Sequence, residues 1–205
     1  MVTFYTAIGI CKLSKHKIPT IIVQEEEYGL GAQEFLIWSI LAFRILTYKE
    51  LRDAFYEKER ELHILGEAEF DDYLNRLLHR GLAASGSSEV GIDALYLLLE
   101  GLQPKLVPRS PVTDFFCFLQ LWILKKVPFR MAASSFYTER LSHREKKMLS
   151  LLRSRACSIN ELITATASAE DRQNCPDTPF FFANRDPVLI VISNLYLKQF
   201  LTFHP

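Results

Sequence analysis

The side chains best placed to do chemistry in this 205-residue sequence are cations. Arg130, Arg140, Arg144, Lys146, Lys147, Arg153 and Arg155 crowd into one short stretch. Guanidinium and ammonium groups at this density are what neutralises phosphates along a polyanion. On a helix, Arg144 and Lys147 share one side, and Lys146 and Arg153 share another. The same patch suits a solvated helix face or a partner for acidic groups elsewhere, and spacing alone leaves these alternatives open. The formal net charge is zero, which hides an uneven distribution. Residues 1–104 carry 10 basic and 16 acidic side chains, residues 105–155 carry 11 and 3, and residues 156–205 carry 3 and 5. A basic middle behind an acidic first half marks a polyanion site, or two regions that attract each other or a second copy.

Catalytic spacing is missing. His16, His63, His79, His143 and His204 are scattered, none with a second ligand-type residue at metal spacing on its own helix face. Gly29, Gly31 and Gly66 stand singly at helix starts and form no phosphate-cradling loop. No serine sits in a nucleophile elbow. The residues therefore point to a protein that is not an enzyme, with no cofactor and no metal. Cys11, Cys117, Cys157 and Cys175 lie too far apart for a metal knuckle or a redox pair, so reduced and mostly buried thiols in a cytoplasmic protein are expected. The apolar stretches at 35–43 and 115–124 are about half the length needed to cross a bilayer. The lysines near the N-terminus follow the apolar stretch, the reverse of a secretory signal.

The elements that must carry these groups come in two copies. Glu34, Ser39, Leu41, Arg44, Glu50 and Leu51 recur as Glu145, Ser150, Leu152, Arg155, Glu161 and Leu162 at one offset of about 111 residues. In the first copy, residues 20–23 form a β-branched run that suits an edge strand. A helix follows over 32–43, apolar on more than one face. Thr47 with Glu50 is a capping box that starts a second helix, running to about residue 61. A third helix spans 67–80, with Phe70, Leu74, Leu77 and Leu78 at helical spacing and Gly81 as its terminator. Residues 82–84 and 90–92 then flank Ser85-Gly86-Ser87-Ser88, which reads as a two-stranded ribbon with a flexible tip. A short helix over 93–99 closes the unit.

The second copy opens with Ser110-Pro111, a cap followed by proline at the first helical position. The helix at 111–126 is apolar nearly all round and must be covered on most sides. Phe115, Phe118, Leu119 and Trp122 are assigned to a junction between the copies or to a homodimer interface. Ser142 with Glu145 and Ser158 with Glu161 are two further capping boxes. A long loop over 167–185 carries Phe180, Phe181 and Phe182, which either close the core or face a partner. Asp186-Pro187 is expected to cap the last helix. Leu74, Leu77 and Leu82 match Ile192, Leu195 and Phe200 only at an offset of about 118, so the second copy carries an insertion. It has no room for a full C-terminal wing.

Three helices followed by a ribbon is similar to the order of the winged-helix superfamily, over residues 30–93 and, less completely, 130–205. The resemblance implies a mainly α fold with small β wings. Two winged-helix-like units would be joined by the apolar helix, with residues 1–104 and 105–205 as the domains. It also implies DNA binding, with the third helix in the major groove and the wing on the backbone. Carried onto this chain, the groove-reading helix would contribute Arg76 and Arg80. Its first turns hold Glu67, Glu69, Asp71 and Asp72, which would repel phosphates, and the wing offers Glu89 and no cation. The third helix of the second copy is apolar all round in its first turns.

Two functions are therefore expected. One is a DNA-binding transcriptional regulator, dimeric so as to read a two-fold site. The other is a scaffold that uses the same units to bind a partner chain, through the acidic helix and the Phe180–Phe182 segment. Both rest on a fold-level likeness.

Overall fold

The computed structural model describes residues 1–13, 19–63, 68–107, 141–154, 158–166 and 180–205. Helices make up 55% and strands 24% of the described chain, a mixed α/β protein with seven helices and three small antiparallel sheets. The expected mainly α fold with small β wings is thus met in part: helices predominate, but beside three sheets. The helix expected at 111–126, with Phe115, Phe118, Leu119 and Trp122, lies outside the described residues, as do Arg130, Arg140, Arg155, Glu67, Cys117, Cys157 and Cys175.

The first unit begins with β1 (Val2–Ala7), whose alternating β-branched and aromatic residues suit a strand. The meander β2 (Ile10–Leu13), β3 (Pro19–Val23) and β4 (Glu26–Gly29) follows as a separate three-stranded sheet. Then come α1 (Ala32–Leu41), the two-residue β5 (Leu46–Thr47), α2 (Tyr48–Leu62) and α3 (Phe70–His79). β6 (Ala83–Ser88) closes the unit by pairing antiparallel with β1, from Val2 opposite Ser88 to Ala7 opposite Ala83. The sheet order is β5-β1-β6.

This replaces the expected ribbon. The Ser-Gly-Ser-Ser segment is not a turn but the last four residues of β6, opposite Val2 to Tyr5. Residues 90–92 are no return strand: α4 (Gly91–Glu100) starts there. The composition is ambiguous between a loop tip and a strand that must let a helix approach closely. Space decides at Gly86. A Cβ there would lie 2.3 Å from the Leu98 nitrogen and 2.5 Å from the Ala94 oxygen, so only glycine lets α4 rest on β6.

The second unit repeats the plan. β7 (Gln103–Leu106) leads, α5 (His143–Ser154), α6 (Ile159–Thr166) and α7 (Phe180–Leu197) follow, and β8 (Leu201–His204) returns antiparallel to β7. β7 runs across the boundary expected at residue 104. α7 begins at Phe180, so Phe180, Phe181 and Phe182 form its first turn and not a loop, and Asp186-Pro187 lies inside the helix rather than capping it. A proline in a helix interior removes one backbone donor without forbidding the helix when tertiary packing outweighs the cost.

The two copies agree in detail. Ile8 N–H donates to the Leu82 carbonyl at 2.9 Å, and Val107 N–H donates to the Phe200 carbonyl at 3.0 Å. The third helices end alike. Leu82 N–H reaches the Leu77 carbonyl at 2.9 Å and Phe200 N–H reaches the Leu195 carbonyl at 2.9 Å, across a left-handed residue, Gly81 (φ 66°) or Gln199 (φ 61°). This is the Schellman termination that glycine favours.

One apolar core runs through both units, from Ile37, Leu51 and Leu77 to Leu162, Ile192 and Phe203. Tyr196 of α7 enters the first unit. Its hydroxyl receives a hydrogen bond from Thr6 at 3.0 Å and donates to the Leu41 carbonyl at 3.3 Å. Burial raises the pKa of that phenol above its ordinary value, so it stays a donor at neutral pH. α4 packs on β6 and also on α6 and α7. Across that contact Arg185 meets Asp93 at 2.7 Å, and the Tyr96 hydroxyl meets Asn160 at 3.0 Å.

Gln199 occupies a backbone conformation that its counterpart meets with glycine. Gln199→Gly should therefore raise the urea midpoint, by about 0.5–1 kcal/mol of stability after the loss of unfolded-state restriction is counted. A midpoint that falls would show that the Gln199 side chain contributes more than its backbone costs.

Candidate interaction surfaces

The expected DNA-contacting cations fall into three groups. Arg80 is committed internally. Its guanidinium donates to Glu34 at 3.3 Å and to the Gly29 carbonyl at 2.8 Å, and lies over the Tyr28 ring. It ties the end of α3 to β4 and to the first turn of α1. Arg76 is exposed and rests against the Tyr73 ring at 5.6 Å. Arg144, Lys146, Lys147 and Arg153 are all exposed on α5, and none enters an ion pair among the described residues. Glu145, Met148, Leu149 and Leu152 face inward. The cations therefore flank the outer face in two rows, Arg144 with Lys147 and Lys146 with Arg153, astride His143, Ser150 and Ser154.

The acids at the start of α3 have structural partners. Asp71 accepts the Tyr48 hydroxyl at 2.7 Å, and Asp72 accepts the Glu69 backbone N–H at 3.4 Å. They cap and brace the helix, and they still present negative charge where a groove-reading helix would need donors. The α7 counterpart is buried through Val188, Leu189, Ile192, Leu195 and Tyr196. No hairpin wing exists among the described residues.

A pair of ties was out of reach of sequence spacing. Glu34 accepts the Gly31 N–H at 3.1 Å while meeting Arg80. Glu145 accepts the Ser142 N–H at 2.6 Å while meeting the Lys198 ammonium at 2.9 Å. In each unit one buried carboxylate caps the first helix and grips the cation that ends the third. Only the capping half is local, so only that half is readable from the chain.

The β2-β3-β4 sheet has an open edge. β3 is the only strand partner of β4 among the described residues. Gln24 and Glu25 form the β3–β4 turn with φ of 48° and 74°, the left-handed pair of a two-residue hairpin. Such a turn makes Val23 and Glu26 a hydrogen-bonded pair, so alternation points the N–H and C=O of Glu27 and of Gly29 outward. The Arg80 contact to the Gly29 carbonyl agrees with this register. Glu25, Glu26 and Glu27 are exposed along that edge.

Leu36, Ile40, Ala42, Phe43, Leu62 and Leu197 line a groove of about 510 Å³ between α1 and the ends of α2 and α7. Leu62 and Leu197 are more than half exposed. Cys11 is exposed, and the other three cysteines, on which the expectation of burial rested, lie outside the described residues. No group of three His, Cys, Asp or Glu able to hold a metal occurs among the described residues, and none of their helices is long and apolar enough to cross a membrane.

Burial acts to raise the Glu145 pKa, but the Lys198 ammonium and the Ser142 donors outweigh it and hold the carboxyl below its ordinary range. A lowered folded pKa gives stability that is complete above the unfolded carboxyl pKa and is lost as pH falls through the folded one. Glu145→Gln should flatten that part of the acid limb and cost about 2 kcal/mol at neutral pH, read by urea unfolding between neutral and acid pH. An unchanged acid limb would remove this carboxylate from the account.

The sequence matches no protein-family model, no curated protein and no solved structure.

Proposed function

We propose that this protein is a non-enzymatic interaction module of two winged-helix-like units that binds an extended, basic segment of a partner polypeptide on the open edge of β4. The order α1, β5, α2, α3, β6, with β1 taking the place of a ribbon's return strand, supports the winged-helix-like reading. The second unit gives three helices, α5, α6 and α7, followed by β8, with β7 in the place of β1. The observation that carries the function is the outward-facing backbone of Glu27 beside three exposed carboxylates. An unpaired strand edge is a template for another chain, and main-chain hydrogen bonds supply its affinity. Three carboxylates disfavour a second copy of β4 and favour a segment rich in lysine and arginine.

Glu27→Pro tests this directly. Proline there removes only an outward N–H, so thermal unfolding should stay within a few degrees of the parent. A polypeptide retained from cell extract by the parent protein should be lost by the variant. Retention by both would move the partner site away from β4.

A second reading is DNA binding through α5, as part of a transcriptional regulator. It is favoured by the four exposed cations, none in an ion pair among the described residues, and it does not use α3 or a wing. Duplex DNA should then bind with a steep salt dependence, and Lys146→Glu with Arg153→Glu should lower the salt slope by about two phosphate contacts in fluorescence anisotropy. Absence of binding at low salt would dismiss this reading.

A further inference from the structure

Two of the small sheets face each other across a cleft. Alternation along β2 and β3 puts Ile10, Lys12 and Ile22 on one face, with Ile10 opposite Ile22 in register. Alternation along β7 and β8 puts Lys105, Thr202 and His204 on the facing side, with Lys105 opposite Thr202. A cavity of about 400 Å³ lies between them, lined by Ile10, Lys12, Ile22, Gln24, Glu25, Lys105 and His204.

His204 is the unusual member. It is 7% exposed, and its Nδ1 has no hydrogen-bond partner among the described residues. Its Nε2 lies 3.5 Å from the Thr202 hydroxyl. A buried ring nitrogen without a partner is costly, and native proteins seldom leave one so. Lys12 and Lys105 are exposed at the cavity rim, and neither enters an ion pair among the described residues. Among the side chains that line the cavity, Glu25 carries the opposing charge, against the two ammonium groups. Gln24 is held by its amide, which donates to the Pro205 carbonyl oxygen at 3.2 Å.

We propose that this cleft binds a small organic oxyanion, a carboxylate or a phosphate monoester. Its head lies between Lys12, Lys105 and the His204 imidazole, and its apolar body lies along Ile10 and Ile22. The oxyanion gives both lysines a counter-charge and sets a negative charge beside the His204 ring. The isoleucine pair accounts for the apolar floor. Burial and the Lys105 charge together lower the pKa of His204 below its ordinary value, which favours the neutral ring without ligand. A bound anion favours the imidazolium and moves its titration upward. Among the described residues, the charged side chains that line the cavity with this ring are Lys12, Glu25 and Lys105.

The test follows the His204 ring resonance in the full-length protein at constant ionic strength. Butyrate and butyl phosphate are the two probes, and butanol and chloride are the controls. A saturable shift with either anion, absent with butanol and chloride, supports the site and distinguishes the carboxylate head from the phosphate. The His204 titration midpoint should rise at saturation. Lys12→Gln with Lys105→Gln, both at exposed positions, should weaken binding at least tenfold while thermal unfolding stays unchanged. The proposal is overturned by any of three outcomes: no saturable shift, an equal shift with butanol or chloride, or undiminished binding in the double variant.

Discussion

Each unit depends on a leading strand whose longest pairing is made with a strand that follows three described helices. β1 waits for β6 and β7 waits for β8, with registers that run from Val2 opposite Ser88 and from Gln103 opposite His204. Ordering so much chain between two strands carries a large conformational entropy cost. Pairing alone does not offset it. The helices between the strands must bury enough apolar surface, and the core extends without a break from Leu41 and Leu77 to Leu189 and Leu195. The carboxylate ties add direction to that non-directional force. Glu34 and Glu145 fix where the first helix begins relative to where the third ends. The strand that follows each third helix is thereby delivered in register.

What the chain disclosed was local. Thr47 with Glu50, Ser142 with Glu145 and Ser158 with Glu161 all form the reciprocal bonds that their spacing implies, at 2.6–3.4 Å. The constant offset between the copies holds in space, since α1 and α2 start where α5 and α6 start one repeat later. What stayed hidden was set by distance or by context. Val2 to Ala7 is an ordinary short alternating run, and nothing in it names β6 as its mate. Gly86 has the neighbours of a loop tip, and only the closeness of Leu98 makes it a strand glycine. Asp186-Pro187 has the signature of a helix start, yet the helix already runs from Phe180.

The surfaces show the same division. That Arg144, Lys146, Lys147 and Arg153 fall on two sides of one helix was readable from spacing, and α5 presents all four exposed. The β4 edge was half-readable: the β-branched run at 20–23 is the inner strand β3, and the acidic triplet beside it is the exposed rim. The cleft between the two small sheets was not readable at all. His204 reads as one scattered histidine until β8 folds back on β7 and Ile10 and Lys12 arrive from the far end of the chain.

Tyr196 has one more effect. A side chain of the second half whose hydroxyl is paired with Thr6 and the Leu41 carbonyl makes each half part of the other's interior. Separating them would expose the phenol ring and break its bonds to Thr6 and to the Leu41 carbonyl. The halves should accordingly melt cooperatively, in a single calorimetric transition whose enthalpy belongs to the whole chain.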